Sequence, residues 1–322
     1  MSFHIYTSQN QGGNIRLGQY IIKSLLKALV VIVGVSLLVF VLTRAIGNPV
    51  NVMLPLTASV EERVRLAHQL GIDKPILAQL WDFINGILHG TFGLSWWQQE
   101  PALGVALERL PFTLELSFIG TGIAVIFAIP LGILSALRPR SVLDKVTSTL
   151  SMLGICVPNF WLGLVLILIF ANTLHWFPTS GVGGWRYWVL PSVTLAVLPL
   201  GRITQIVRTA MMEQLRELYV VTARSKGLHE FWVVTRHALK NAGISIVTMS
   251  GWELGRMIAG YAIAIEAVFG LPGIGSLIVD AIGQQDFPLI QALTFVIAIA
   301  INLLNILIDM SYPLFNPRVK FK

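Results

Sequence analysis

The chain is poor in charge: Asp, Glu, Lys and Arg make up 12% of its 322 residues, against ~25% in soluble globular domains. It is also nearly without cysteine, holding Cys156 alone, which excludes an internal disulfide and a cysteine-based metal cluster. Set in an apolar run beside Val157 and Pro158, Cys156 reads as a small packed hydrophobe rather than a reactive thiol. No G-x-x-x-x-G-K-[ST] phosphate loop is present, and the glycine-rich Gly270 to Ser276 contains no lysine. His229-Glu230 opens like a zinc-protease motif, but Val233 stands at the fifth position, so two imidazoles cannot share a helical face. No G-x-S-x-G elbow occurs either. The sequence therefore offers no catalytic residue and no metal ligand set.

What remains is apolar. Hydrophobic residues make up 55% of the chain and the mean hydropathy is +0.73, which indicates an all-α polytopic membrane protein embedded in lipid. The net charge of +7 does not point to nucleic acid, because the basic residues sit at the ends of apolar runs, as the positive-inside rule places them.

The chain divides as follows. Residues 1–20 read as a cytoplasmic tail. Residues 21–45 form a first span around the apolar run Ala28 to Val41, with Lys23 and Lys27 placed to snorkel. No A-x-A cleavage signal follows, so this is a membrane helix rather than a signal peptide. Residues 46–111 form an external loop with helices of its own. Ser59 with Glu62 predicts a capping box, Gly71 a helix stop, and Pro75 the start of a second helix carrying Leu77, Leu80, Trp81 and Ile84. Trp96 and Trp97 suit a membrane interface, with contact to substrate as the less favoured reading.

A second span is expected from Phe112 to Leu137, ended by the basic turn Arg138, Arg140 and Lys145. A third runs from about Leu150 to Leu174, with Pro158 and Asn159 near its start implying a kink or a satisfied polar contact. A fourth, from Tyr187 to about Val207, returns to the cytoplasm at Arg202 and Arg208. The fifth, from Gly243 to about Ala267, holds Glu253, Arg256 and Glu266, charges that are costly at that depth. Glu253 and Arg256 at i, i+3 can pair on one face. The sixth, from Leu289 to about Met310, is interrupted by Asn302, Asn305 and Asp309. Phe269 to Pro288 lacks Lys and Arg and belongs outside, while Arg318, Lys320 and Lys322 keep the C-terminal tail, 319–322, inside. The permease core is thus 112–318.

The chain is organised around 213–242, the basic segment LRELYVVTARSKGLHEFWVVTRHALKNA with its flank. Helical spacing of Leu215, Leu218 and Thr222 predicts a helix over Met212 to Lys226, ended by Gly227, with a second helix from His229 to Asn241. Ala223 and Gly227, four apart, present two small residues that let a partner's surface approach. The plainer reading is a basic loop that only orients the chain.

YVVTARSKGL followed by HALKNA resembles the cytoplasmic "EAA" loop of binding-protein-dependent ABC importer permeases in their oligopeptide, dipeptide and nickel branch. Ala223 matches the motif's second alanine and Gly227 its glycine, while Val221 stands in place of the name-giving Glu, Thr222 in place of the first alanine and Lys240 where many members have Pro. The segments ERLPFTLEL, EAVFGLPGIGSLIVDAI and LLNILIDMSYPLFNPRVK also resemble dipeptide-type permeases, so the likeness covers nearly the whole chain beyond residue 20. The resemblance implies a six-span ABC importer type I permease fold with a helical external loop, in the bacterial inner membrane with both termini cytoplasmic. It implies coupling to the ATPase through Tyr219, Ala223, Arg224 and Gly227. Asn159, Glu253, Arg256 and Glu266 either line the translocation path or pair within the membrane.

The resemblance implies a second homologous permease, two ATPase subunits and an extracytoplasmic substrate-binding protein as partners, besides membrane lipid and without nucleic acid. ATP and Mg bind the ATPase subunits, and this chain binds no cofactor and is not itself an enzyme. Di- or oligopeptides are the expected substrate, with nickel or a metal chelate, glutathione or another small solute as alternatives. A membrane-embedded enzyme lacks its motifs, and a channel needs no basic docking segment.

Overall fold

In the computed structural model, residues 17–315 are described, and the described residues are helical, with a single isolated bridge between Leu94 and Pro101 as their only strand-like pairing. Residues 1–16 and 316–322, with most of both expected tails and with Arg318, Lys320 and Lys322, lie outside the described residues.

Helix α1, Leu17–Ile46, contains the first apolar run and packs along the last helix. Three short helices follow: α2 Val50–Met53, α3 Val60–Leu70 and α4 Ile76–His89. The capping box is present, since Ser59 Oγ accepts from the Glu62 N–H and the Glu62 carboxylate accepts from the Ser59 N–H. Gly71 and Gly90, both with φ near +68, end α3 and α4 in the left-handed region that suits glycine. Trp96 and Trp97 do not simply float at an interface. Trp97 Nε1 donates to Gln284 O at 3.0 Å and Trp96 packs on Phe287, because Asp286 gathers this loop through Ser95 Oγ at 2.6 Å and the Trp97 N–H.

Helix α5, Ala102–Leu137, starts ten residues before the expected span. At 1.5 Å per residue its 36 residues cover about 54 Å, longer than a hydrocarbon core of about 30 Å, so the helix exceeds what a single crossing needs. The expected third span is broken. Helix α6, Val142–Cys156, and helix α7, Asn159–Thr173, meet at about 100°. Pro158 supplies no N–H, and Val157 before it is extended, at φ −76 and ψ 125, as the residue preceding a proline should be.

Helix α8, Arg186–Gln214, carries Pro191 and Pro199 and runs past Arg202 and Arg208, so Arg202 lies inside it rather than at its end. It packs intimately on α5: a Cβ on Gly132 of α5 would meet Val207 at 2.6 Å. Small residues at such crossings let membrane helices approach closely. After the short α9, Leu218–Ser225, helix α10 runs unbroken over Glu230–Phe269, with π turns at Val233–Ala238 and Met257–Tyr261. The expected break between a cytoplasmic helix and the fifth span near Gly243 is absent. Gly270, at φ +58, ends α10, and the chain turns by about 82° into α11, Ile274–Gly283. Helix α12, Phe287–Phe315, is continuous through Asn302, whose Nδ2 donates to Ala298 O at 2.8 Å, so the polar residues do not interrupt it.

Among the described residues, four helices are long and apolar enough to cross a membrane, and counting α6/α7 and α10/α11 as one bent span each brings the number to six. Three apolar clusters hold them together. One, with Phe40, Phe83, Phe92 and Leu293, joins α1 and α4 to α12; one, with Ile203, Val207, Val220 and Val233, joins α5, α8, α9 and α10; the third, with Leu116, Leu195 and Phe269, joins α5, α7, α8 and the end of α10.

Candidate functional site

The basic segment is built as a tight corner between α8 and α10. Helix α8 ends at Gln214 with i to i−3 bonds from Arg216 and Glu217, and an extended Glu217 starts α9 afresh. The continuous helix expected over Met212 to Lys226 is therefore cut at 215–217, although no glycine or proline marks the place. The reason is packing. Val220 and Ala223, one turn apart, drop into the cluster formed by Val207, Met211, Val233 and Val234, which a straight extension of α8 would not reach.

Gly227 closes the corner. At φ +77, its N–H donates to Arg224 O at 2.9 Å and the Leu228 N–H to Ala223 O at 3.4 Å, a Schellman ending in which a left-handed residue is required. Across this turn Arg224 grips Glu230 with two bonds, Nη2 to Oε1 at 2.6 Å and Nε to Oε2 at 3.1 Å. The carboxylate holds the Arg224 guanidinium above its usual range. Tyr219 donates to Gln214 Oε1 at 2.6 Å, tying α9 to the last turn of α8.

This geometry redistributes the expected docking residues. Ala223 is 5% exposed and faces the chain's own core, so it is not available to a partner. Tyr219, Arg224 and Gly227 are exposed, and a Cβ at Gly227 would meet nothing within 4 Å. The outward face consists of Leu218, 81% exposed, with Val221, Thr222, Ser225, Lys226 and Leu228. Phe231 and Trp232 continue it onto the foot of α10. This exposed surface, apolar at Leu218, Val221, Leu228, Phe231 and Trp232 and basic at Arg224, Lys226 and Arg236, is suited to binding another protein.

The charges expected within the fifth span also rearrange. Glu253 is fully buried, and its nearer partner is Arg202 of α8, Nη1 to Oε1 at 3.2 Å, rather than Arg256, at 3.5 Å. Arg202 also donates to Tyr261 Oη at 3.0 Å, a hydroxyl brought round by the second π turn. Arg256 lies 5.3 Å from the Trp252 ring centre. Two guanidinium groups thus share one carboxylate, and the cluster carries one net positive charge. The sequence signal for Arg202 is its position: with Arg208 it is one of two arginines in the second half of an apolar helix, where a charge needs an acidic partner.

Glu266 has a different task. Its carboxylate accepts from Thr113 Oγ1 at 2.6 Å and from the Ser276 N–H at 3.0 Å, while Thr113 Oγ1 accepts from the Ile274 N–H. Glycine is needed at 273, since a Cβ there would lie 2.2 Å from the Glu266 carboxyl carbon. Glu266 therefore pins the turn between α10 and α11 and joins no cation of the cluster. Asn159 opens α7 with its Oδ1 buried and unbonded, and no hydrogen bond links it to Glu253 or Arg256. A further ion pair escaped the sequence reading: Arg208 binds Asp144 through Nε at 2.6 Å and Nη2 at 2.9 Å, and Ser135 and the Arg140 N–H complete the acceptor's shell.

Residues 128–321 match the family described as "Binding-protein-dependent transport system inner membrane component", and residues 17–117 match "Binding-prot-dependent transport system membrane comp, N-term". The chain is 35% identical to the glutathione transport system permease protein GsiC of Escherichia coli (strain K12) over 304 residues, 94% of this chain and 99% of that protein. It is 34% identical, with the same coverage, to the protein of that name in Salmonella typhi. A solved structure titled "Crystal structure of an amino acid ABC transporter with histidines" aligns with a TM-score of 0.48 at 18% identity, covering 67% of this chain and 94% of that one.

Proposed function

This chain belongs to the family of binding-protein-dependent transport system inner membrane components and is a multi-pass permease subunit of an ABC importer; we propose that it carries small peptides, driven by ATP hydrolysed on separate subunits. In this reading an extracytoplasmic binding protein delivers the solute, a second homologous permease completes the pathway, and two ATPase subunits dock on the cytoplasmic side.

The observation that carries the ATPase reading is the outward face of α9. It stands at a corner stiffened by the Gly227 turn and the Arg224 to Glu230 grip, so a push on it is passed to α8 and α10 together. ATP binding closes the ATPase pair, α9 moves with it, and the spans switch between outward and inward access. Both termini lie on the α9 side, and 46–111 with α11 on the other.

The peptide reading is supported by the relatives' name, since glutathione is itself a tripeptide. The net positive cluster of Arg202, Glu253 and Arg256 is the kind of group that tolerates a carboxylate-bearing solute in a low-dielectric path. The nickel alternative has no observation of its own: among the described residues no three His, Cys, Asp or Glu side chains converge.

The test is reconstitution of this chain with its permease, ATPase and binding-protein partners, following uptake of labelled dialanine, glutathione and nickel. Uptake that requires both ATP and the ATPase subunits is expected, with peptide competing against peptide. Uptake that proceeds without ATPase subunits would overturn the permease mechanism, and nickel uptake unaffected by peptides would overturn the substrate assignment.

A further inference from the structure

A cavity of about 420 Å³ opens between the outer end of α1, helix α4, the loop before Trp96 and the start of α12. Its volume falls within the range of small-ligand sites. It lies on the opposite end of the molecule's long helices from the coupling corner, and the proposed mechanism makes no use of it.

Arg44 projects into it from the last turn of α1. Its guanidinium donates to Gln79 Oε1 at 3.2 Å, to Thr43 Oγ1 at 3.1 Å and to Phe40 O at 3.4 Å. All three acceptors are neutral. The nearby Asp82 is held by Lys74 at 2.7 Å, and among the described residues no carboxylate lies within ion-pair distance of Arg44. Its Nη2 has no hydrogen-bond partner there. The group is not loose: it lies 3.7 Å above the Phe40 ring centre and 5.7 Å from that of Phe287. Gln79 is held in turn by its own bonds to Ile72 O and Lys74 O, so its oxygen fixes the guanidinium's direction.

The second observation is Gln291. It sits four residues beyond Phe287, hence on the same face of α12, and lines the same cavity. The residue is 7% exposed, yet its Nε2 makes no hydrogen bond. Buried polar groups are almost always paired, and an unpaired donor costs free energy. A cation without an anion and a buried amide without an acceptor therefore line one cavity, whose other walls include Phe83, Phe92 and Trp96.

We infer that this cavity binds the free carboxylate of a solute of amino-acid to short-peptide size, held by Arg44 and Gln291 with its apolar part against the aromatic wall. A carboxylate carries two acceptor oxygens for these two donors, and the charge-assisted bond to Arg44 is the stronger of the two. Gln79 is a positioning residue. The site draws α1, α4 and α12 together, so occupancy also braces the external helices against the last span. A phospholipid phosphate presents similar oxygens, but residues of the external helices and loop line much of the cavity, which favours a ligand from solution.

The test uses the purified complete transporter in phosphatidylcholine nanodiscs without nucleotide, with labelled dialanine as probe and dialanine amide as its uncharged counterpart. Saturable dialanine binding is expected, weakened about tenfold or more by amidation and by Arg44→Gln. Gln291→Leu is expected to weaken it as well, and since it replaces an unpaired buried amide it should leave the protein folded. Val64→Ser, on the exposed face of α3 outside the cavity, should leave binding unchanged. Equal binding of acid and amide, or unchanged binding in Gln291→Leu and Arg44→Gln, would overturn the site. Displacement of dialanine by adding phosphatidylglycerol, without dialanine displacing lipid, would assign the site to a headgroup and overturn the solute. Because binding is read without ATP or uptake, failure here is distinguishable from failure of the transport reading.

Discussion

Arg202 reaches across from α8 to place its Nη1 3.2 Å from the Glu253 carboxylate, while Arg256, on the carboxylate's own helix, stands farther away at 3.5 Å. The cross-helix contact is therefore the one that defines the cluster. Truncating Glu253 leaves two guanidinium groups without their anion, and breaking a buried pair in this way costs ~3–5 kcal/mol. Glu253→Ala should lower the yield of folded transporter strongly. Adding Arg202→Ala should recover more of it than adding Arg256→Ala. Thermal unfolding in detergent followed by size-exclusion chromatography reads this directly, and greater rescue by Arg256→Ala would reverse the assignment.

The buried and exposed faces of α9 should separate folding from docking. Ala223→Trp forces a large ring into a filled cluster, where overpacking costs ~1–3 kcal/mol or more, and should reduce the folded permease itself. Leu218→Asp, at an 81% exposed position, should leave folding within about 0.5 kcal/mol yet lose ATPase co-purification. Normal ATPase binding by Leu218→Asp would return the segment to a loop that merely orients the chain.

Gly227 and Glu230 should differ sharply although they belong to one corner. Gly227→Leu places a Cβ in the left-handed region at a cost of ~1–2 kcal/mol and should uncouple ATP hydrolysis from uptake. Glu230→Gln removes only an exposed ion pair, worth at most ~1 kcal/mol, and should retain most uptake. Equal uptake defects in the two would mean that charge, rather than the turn, stiffens the corner.

Sidedness has a simple test. In intact cells Ser59→Cys should react with an impermeant thiol reagent, whereas Ser225→Cys should react only after permeabilisation, in each case on a Cys156→Ala background. External labelling at 225 would invert the whole arrangement.

Acid should loosen the start of α3. The Ser59 N–H, followed by the Ser59 hydroxyl, holds the Glu62 carboxyl below its ordinary value. A depressed folded pKa means that the stabilisation is complete above the unfolded value of ~4.3 and fades as the pH falls through the lower folded one. Hydrogen exchange of residues 60–65 should accelerate over that range, and Glu62→Gln should abolish the pH dependence. Persistence of the same acid response in Glu62→Gln would place its origin elsewhere.

Local chemistry was readable from the residues alone. The Ser59 capping box and the stop at Gly227 each follow from a few adjacent positions, and both are present. Long-range partnership was not. Arg202 and Glu253 are 51 residues apart, and Ser95 and Asp286 are 191 apart; no local period joins them, and only the packing of α5, α8 and α10 brings the first pair together. The cut at 215–217 escaped because tertiary burial of Val220 and Ala223, rather than a helix-breaking residue, imposes it. The break at Pro158 was visible as a kink but not as a turn of about 100°, since proline announces a lost bond and not the direction taken afterwards.

Helix α10 joins the corner after α9 to the Gly270 turn without a loop, yet its two π turns make it three α-helical pieces in series. One additional residue in a turn advances the facing of everything beyond it by about 100°. The stretch Leu239–Arg256 is of one phase, so Glu253 keeps a fixed facing relative to the foot of that stretch. Above Met257 the register is offset, and Glu266 does not share that phase. The π turn beside Tyr261 thus separates the piece that carries Glu253 from the piece that carries Glu266, whose turn Thr113 and the Ser276 N–H hold in place.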